Sequence, residues 1–207
     1  MRPARPLPYA LEVSARWKGD LLELTFLNRG RTGAVFTVYA AGPGEGPWSY
    51  TVEAGKSLSE TWPRIRARGE TYDLSVHGPN GFFRRFRGDW GMSARPEVRL
   101  FHPRAQGRLR AEFSNSGVMP CVLTVAAAGR TGETRLTCAL AAGGVRSLTF
   151  DMPVEGAGWY DLHVAAAAAP GFERRLSGHV ETGRPSLSFT ALKGVEAATR
   201  TREPELS

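Results

Sequence analysis

Residues 69–88 read GETYDLSVHGPNGFFRRFRG, and residues 156–178 read GAGWYDLHVAAAAAPGFERRLSG. Tyr72-Asp73-Leu74 matches Tyr160-Asp161-Leu162, and Val76 matches Val164, at a spacing of 88 residues. Past a loop that differs between the two, Phe82, Arg84, Arg85 and Gly88 match Phe172, Arg174, Arg175 and Gly178 at a spacing of 90. Upstream, Phe26, Asn28 and Gly30 match Phe113, Asn115 and Gly117, and Thr37-Val38 matches Thr124-Val125, at a spacing of 87. Anchors that keep both order and spacing mean two copies of one folding unit. The period exceeds that of solenoid repeats, so each copy is expected to be a complete small domain with its own core. The expected boundaries are a linker over 1–8, a first repeat over 9–92, a second over 93–192 and a disordered tail over 193–207.

Each copy is patterned for short strands separated by Gly, Pro, Asn and Asp, with no convincing amphipathic helix. Leu22, Leu24 and Phe26 alternate with Glu23 and Thr25, which buries one face and wets the other. Tyr72, Leu74 and Val76 point one way, and Asp73, Ser75 and His77 the other. A tyrosine opening the strand before the last hairpin marks the corner of an immunoglobulin-like sandwich, where its hydroxyl bonds nearby backbone. Tyr72 and Tyr160 are the candidates for that role. About seven strands in roughly 85 residues fit such a domain. The expected fold is therefore all-β, with two tandem immunoglobulin-like (fibronectin-like) antiparallel β-sandwiches. The short joint Gly91–Pro96 implies that the two copies touch and have restricted freedom.

Composition narrows the function classes. Of 207 residues, 42% are hydrophobic, enough for packed cores, yet no run of about 18 apolar residues exists to span a membrane as a helix. The first ten residues, MRPARPLPYA, lack the apolar stretch of a secretion signal. Net charge is +7, and Lys18, Lys56 and Lys193 are the lysines among 27 basic residues; arginine supplies the rest. The excess is divided between the copies, so no nucleic-acid stripe forms and no nucleic-acid partner is expected, although mild attraction to anionic surfaces remains. Cys121 and Cys138 both fall in the second copy, where Ala34 is the first copy's counterpart of Cys121. They flank a hairpin turn at Gly129-Arg130-Thr131-Gly132, so either a disulfide or two buried thiols fits.

No catalytic or metal constellation emerges, and neither cofactor nor metal is expected. His77, His102, His163 and His179 occupy positions the copies do not share as a histidine, and no HExxH, CxxC, P-loop or GxSxG string is present. Asp73 and Asp161 recur in a phase opposite to the core, where each holds an edge or pairs with Arg84 or Arg85, and with Arg174 or Arg175, on the neighbouring strand. Phe82 and Phe86 correspond to Phe172 and Leu176 and read as core. Phe83, Arg85 and Arg87 form a candidate lipid or partner contact, and because Phe83 becomes Glu173 and Arg87 becomes Ser177, those two are features of the first copy alone. Trp48, beside the Pro/Gly-rich stretch 42–47, is a second candidate contact against simple packing.

The strings YDLSVHGPNGFFRRF, LTFLNRGRTGAVFTVY and YTVEAGKSLSETW resemble the C-terminal region of bacterial phosphocholine-preferring phospholipases C. The resemblance runs from about Pro8 to Ala191 and is weaker in the second copy. It implies a non-catalytic module that follows a phosphoesterase-type N-terminal catalytic domain in the same polypeptide. It also implies an enzyme acting on phosphatidylcholine or sphingomyelin, secreted or periplasmic, with choline-lipid membrane surfaces as a partner. Two other roles compatible with the fold are a purely structural or export domain and a carbohydrate- or protein-binding module.

Overall fold

Alternating apolar and polar residues become strands through most of the described chain. The computed structural model describes residues 2–41, 46–62, 71–101, 108–129, 132–151, 158–167, 169, 171–181 and 186–188, and these hold no helix. The first copy contributes β2 (Leu11–Lys18), β3 (Leu21–Asn28), β4 (Ala34–Ala40), β5 (Trp48–Val52), β6 (Ser57–Trp62), β7 (Thr71–His77) and β8 (Phe83–Asp89). The second contributes β9 (Pro96–Phe101), β10 (Arg108–Asn115), β11 (Cys121–Gly129), β12 (Gly132–Leu140), β13 (Val145–Asp151), β14 (Trp159–Ala166) and β15 (Glu173–His179). Two short strands, β1 (Arg2–Ala4) and β16 (Ser186–Ser188), pair with each other.

The sheets are antiparallel and arranged like sandwiches. One three-stranded sheet runs β2-β3-β6 and its counterpart β9-β10-β13. Opposite them lies a single eight-stranded sheet, β12-β11-β14-β15-β8-β7-β4-β5, to which both copies contribute four strands. One apolar cluster joins Val13, Leu24, Phe26, Phe36, Val38, Leu74, Val76 and Phe86. Another joins Val98, Leu109, Phe113, Leu123, Val125, Leu162, Val164 and Leu176. Each such side chain taken out of water stabilises the fold by about 1.5–3 kcal/mol. Phe82 and Phe172 are buried too, as their shared phase requires.

The repeated Asn-x-Gly explains itself locally. The Asn28 side chain donates to the carbonyls of Thr32 and Val52 and accepts from the Gly30 amide. Asn115 does the same with Met119, Ala141 and Gly117, and also accepts from the Arg95 amide. A Cβ on Gly30 would overlap the Pro8 carbonyl, and one on Gly117 the Ser93 carbonyl. Each buried asparagine therefore joins its own loop to the loop across the sheet end, Asn115 also holds the incoming Arg95, and the incoming backbone passes so close that only glycine fits.

Three expectations need correction or completion. Within the expected linker 1–8, Arg2–Ala4 pairs with Ser186–Ser188, a partner too distant in sequence to foresee. The two copies do more than touch, since β8 and β15 hydrogen-bond directly within one sheet. Cys121 and Cys138 are two buried free thiols. Cys121 stands opposite Leu140 and Cys138 opposite Leu123, so no cross-strand position pairs them. Burial pushes both thiols up from the ordinary cysteine range. The expected tail at 193–207, His102 and most of the stretch 42–47 lie outside the described residues.

Candidate functional site

The most densely built polar region is the seam where β8 meets β15. The register sets Arg87 opposite Glu173, Phe86 opposite Arg174, Arg85 opposite Arg175, Leu176 opposite Arg84 and Phe83 opposite Ser177. Arg85 and Arg175 are equivalent in the two copies, so their pairing marks the centre of an approximate two-fold. Like charges directly opposite destabilise a sheet. Each guanidinium escapes this by forking onto the aspartate of its own copy. Arg85 donates to Asp73 at 2.9 and 2.7 Å, and Arg175 to Asp161 at 3.1 and 2.8 Å. Burial alone would raise the Asp161 pKa, but the hydrogen bonds from Arg175 and Ser177 and the nearby charge of Arg175 hold its carboxyl below the ordinary range.

On the inner side of the same strands, Arg84 and Arg174 are completely buried. Alternation forces this, since Arg84 shares the phase of Phe82 and Phe86. Isolated, a buried guanidinium would be prohibitively costly, so every compensation must come from fixed partners. Arg174 donates to both carboxylate oxygens of Glu97 (3.1 and 2.7 Å), to the Tyr72 hydroxyl (2.7 Å) and to the carbonyls of Arg87 and Glu173. Arg84 donates to Glu12 (3.1 Å), to the Tyr160 hydroxyl (2.9 Å) and to the carbonyls of Phe83 and Ser177. Each guanidinium also lies against an aromatic face, Arg84 over Phe82 at 4.1 Å and Arg174 over Phe172 at 4.4 Å.

The exchange is reciprocal. Each arginine takes its carboxylate from its own copy and its tyrosine from the other. The tyrosine hydroxyls, expected to bond nearby backbone, therefore reach across the seam. Burial pushes both hydroxyls up from the ordinary tyrosine range, against the pull of the neighbouring arginines. The repeated glycines have a matching cause: a Cβ on Gly88 would lie 2.6 Å from the Tyr72 hydroxyl, and one on Gly178 2.7 Å from that of Tyr160.

Comparison with known proteins gives this duplicated architecture its context. The family profile described as "Bacterial phospholipase C, C-terminal domain" matches residues 3–89 and again 96–179. The chain belongs to that family. Non-hemolytic phospholipase C of Burkholderia pseudomallei is 43% identical over 194 residues, covering 91% of this chain and 27% of that protein. Non-hemolytic phospholipase C of Pseudomonas aeruginosa is 42% identical over 198 residues, with 91% and 28% covered. Hemolytic phospholipase C of the same organism is 34% identical, with 90% and 29% covered. The chain thus spans under a third of the length of the curated relatives it matches.

Within this phospholipase C C-terminal module, the two clasps are not equivalent. Glu97 is held by both oxygens, whereas Glu12 Oε1 and Arg84 Nε have no hydrogen-bond partner among the described residues. Burial pushes the Glu12 carboxyl up from its ordinary range against the opposing charge of Arg84. The packing around each tyrosine differs in step with this. Trp17 and Trp90 close over Tyr72 at ring separations of 5.9 and 5.1 Å. Val180 stands 90 residues after Trp90 and is smaller. A cavity of about 130 Å³, lined by Glu12, Phe82, Tyr160, His179, Val180 and Glu181 among others, opens beside the weaker clasp.

The sequence-flagged contacts are mostly engaged within the module. Trp48 packs edge-on against Trp62 at 4.6 Å. Phe83 meets His77 edge-on, and His77 in turn meets Tyr39. Arg85 is held by Asp73, while Arg87 reaches toward Glu173 at 4.0 Å. The aspartates choose Arg85 and Arg175, not Arg84 and Arg174. Glu12 and Glu97 are absent from the sequence expectations, and the signal that marks them is that Leu11-Glu12-Val13 and Pro96-Glu97-Val98 repeat a carboxylate inside an apolar stretch. Among the described residues, no three His, Cys, Asp or Glu side chains converge as metal ligands.

Proposed function

We propose that this chain is a non-catalytic module of a phospholipase C, packing on an N-terminal catalytic domain of the same polypeptide and helping to present that enzyme to choline-lipid surfaces. The observation that carries the reading is the use made of the charged groups at the seam. Arg84, Arg85, Arg174 and Arg175, with Glu12, Asp73, Glu97 and Asp161, form fastenings repeated in both copies. A reaction centre requires groups aimed at a substrate; these are aimed at one another. The repeats over 9–92 and 93–192 act as one rigid body joined through the shared sheet. Secretion or export to the periplasm follows from the need to meet lipid outside the cytoplasm. Because Phe83, Arg85 and Trp48 have partners within the module, the proposal does not rest on those side chains as lipid contacts.

The test compares the Burkholderia relative with and without the part this chain matches, on phosphatidylcholine vesicles and on a soluble phosphocholine ester. Removal is expected to depress turnover of vesicles and to spare the soluble ester. Equal loss on both substrates would favour a purely structural role. Phosphodiester cleavage by the isolated chain would overturn the non-catalytic reading.

A further inference from the structure

The duplication supplies an internal control for surface residues, and one pair of loops departs from it sharply. The loop after β10 and the turn before β13 are joined through Asn115, whose amide donates to Gly144 and whose side chain donates to Met119 and Ala141. In the first copy, Asn28 joins the equivalent loops through Lys56, Thr32 and Val52. The backbone plan is shared, but the side chains at the tips are not. Arg31, Thr32 and Gly33 become Val118, Met119 and Pro120, and Ser57 becomes Val145. The tip is strongly exposed: Val118 81%, Val145 61%, Met119 54%, with Val122 beside it at 46%. At 118–120 and 145 the fold does not demand apolar residues, because its own duplicate carries Arg31, Thr32, Gly33 and Ser57 there; Val122 alone keeps an apolar counterpart, Val35, which is exposed as well.

We infer that this tip inserts into the interface of a phosphatidylcholine-containing bilayer. The inference rests on the lipid-presenting role proposed above and gives it a location. Three observations select a bilayer as the occupant. Residues 116–122 and 141–146 contain no carboxylate, and their one charged side chain is Arg146, which suits a phosphate-lined interface. The apolar groups gather at one end of the sheets, with Val118 and Met119 in the loop between β10 and β11, Val122 near the start of β11 and Val145 at the start of β13. Antiparallel pairing of β8 with β15 also turns this end away from the Asn28 end, where Pro8 and Leu11 enter the first copy. The tip therefore points away from the side on which preceding polypeptide arrives.

The swap Val118→Arg, Met119→Thr, Pro120→Gly and Val145→Ser installs residues the first copy already carries, so the loops keep a backbone-compatible sequence. The experiment is co-sedimentation of the 207-residue chain with phosphatidylcholine vesicles, with and without phosphatidylglycerol. Binding is expected to weaken about tenfold or more in the swap, and to remain unchanged in Phe83→Glu, which copies Glu173. Thermal unfolding of the swap should match that of the parent chain. Unchanged binding of a folded swap, or loss confined to Phe83→Glu, overturns the inference while leaving the lipid-presenting role standing. Absence of vesicle binding by the parent chain removes both. Tip-dependent association with the unmatched part of the Burkholderia relative, in place of vesicle binding, would make the tip a protein interface and overturn the inference.

Discussion

The Arg174 clasp and the Arg84 clasp began as the same structure, and their divergence shows what a buried charge needs. Around Arg174, Glu97 uses both oxygens, and two tryptophans seal the tyrosine that completes the set. Around Arg84, one carboxylate oxygen and one guanidinium nitrogen lack partners among the described residues, and a cavity borders the site. The lesson is that a buried ion pair depends on its apolar lid as much as on its partner. A wide indole keeps the geometry tight, whereas valine lets it loosen.

The largest effect should come from breaking the tighter clasp. Arg174→Met leaves Glu97 buried without its partner, and urea unfolding should show a loss of about 3–5 kcal/mol. Arg84→Met should cost less by about 1 kcal/mol or more, since fewer bonds are lost. Equal costs, or the reverse order, would break the comparison. The asparagine ties come next. Asn115→Ala and Asn28→Ala each leave buried backbone groups unsatisfied and should cost about 2–3 kcal/mol. Asn115→Ala is expected to cost more, because Asn115 also receives the Arg95 amide.

A smaller, pH-dependent effect should come from the outer forks. The Asp161 pKa is lowered in the folded chain, so its contribution is present above the unfolded aspartate pKa. It is lost as pH falls through the folded value, which places the window below about pH 4. Asp161→Asn should therefore lower stability at neutral pH by about 1 kcal/mol or less, given partial exposure. The gap to the parent chain should close in acid; a gap that persists or widens there would contradict the fork. Smallest of all, the four-residue tip swap should shift stability within about 0.5 kcal/mol. A large loss would mean that Val118 and Met119 pack within the fold.

Much of this was legible in the sequence. The repeated anchors gave two copies, and period-two alternation gave the strands and the inward phase of Tyr72, Phe82 and Phe86. Arg84 and Arg174 share that inward phase, yet from sequence they stand as possible partners of the outward aspartates, because a guanidinium inside a core conflicts with every composition rule until its carboxylate is known. Glu12 and Glu97 lie far upstream on a different sheet, so nothing local links them to the arginines. The β8–β15 pairing was also hidden. Edge strands carry no mark of which other edge they will join, and a tyrosine hydroxyl does not announce a partner in the other repeat. The tip is marked by its exposure relative to the first copy and not by its sequence, because valine and methionine in a loop otherwise read as packing.

The central claim is that reciprocal clasps across a shared sheet make the two copies one cooperative unit. Native-state hydrogen exchange on the chain carrying Leu123→Ala, a core change confined to the second copy, tests it most directly. Protection in β4 and β7 of the first copy should fall by as much as protection in β11 and β14. If β4 and β7 keep their full protection while β11 and β14 lose theirs, the copies unfold independently and the claim is wrong.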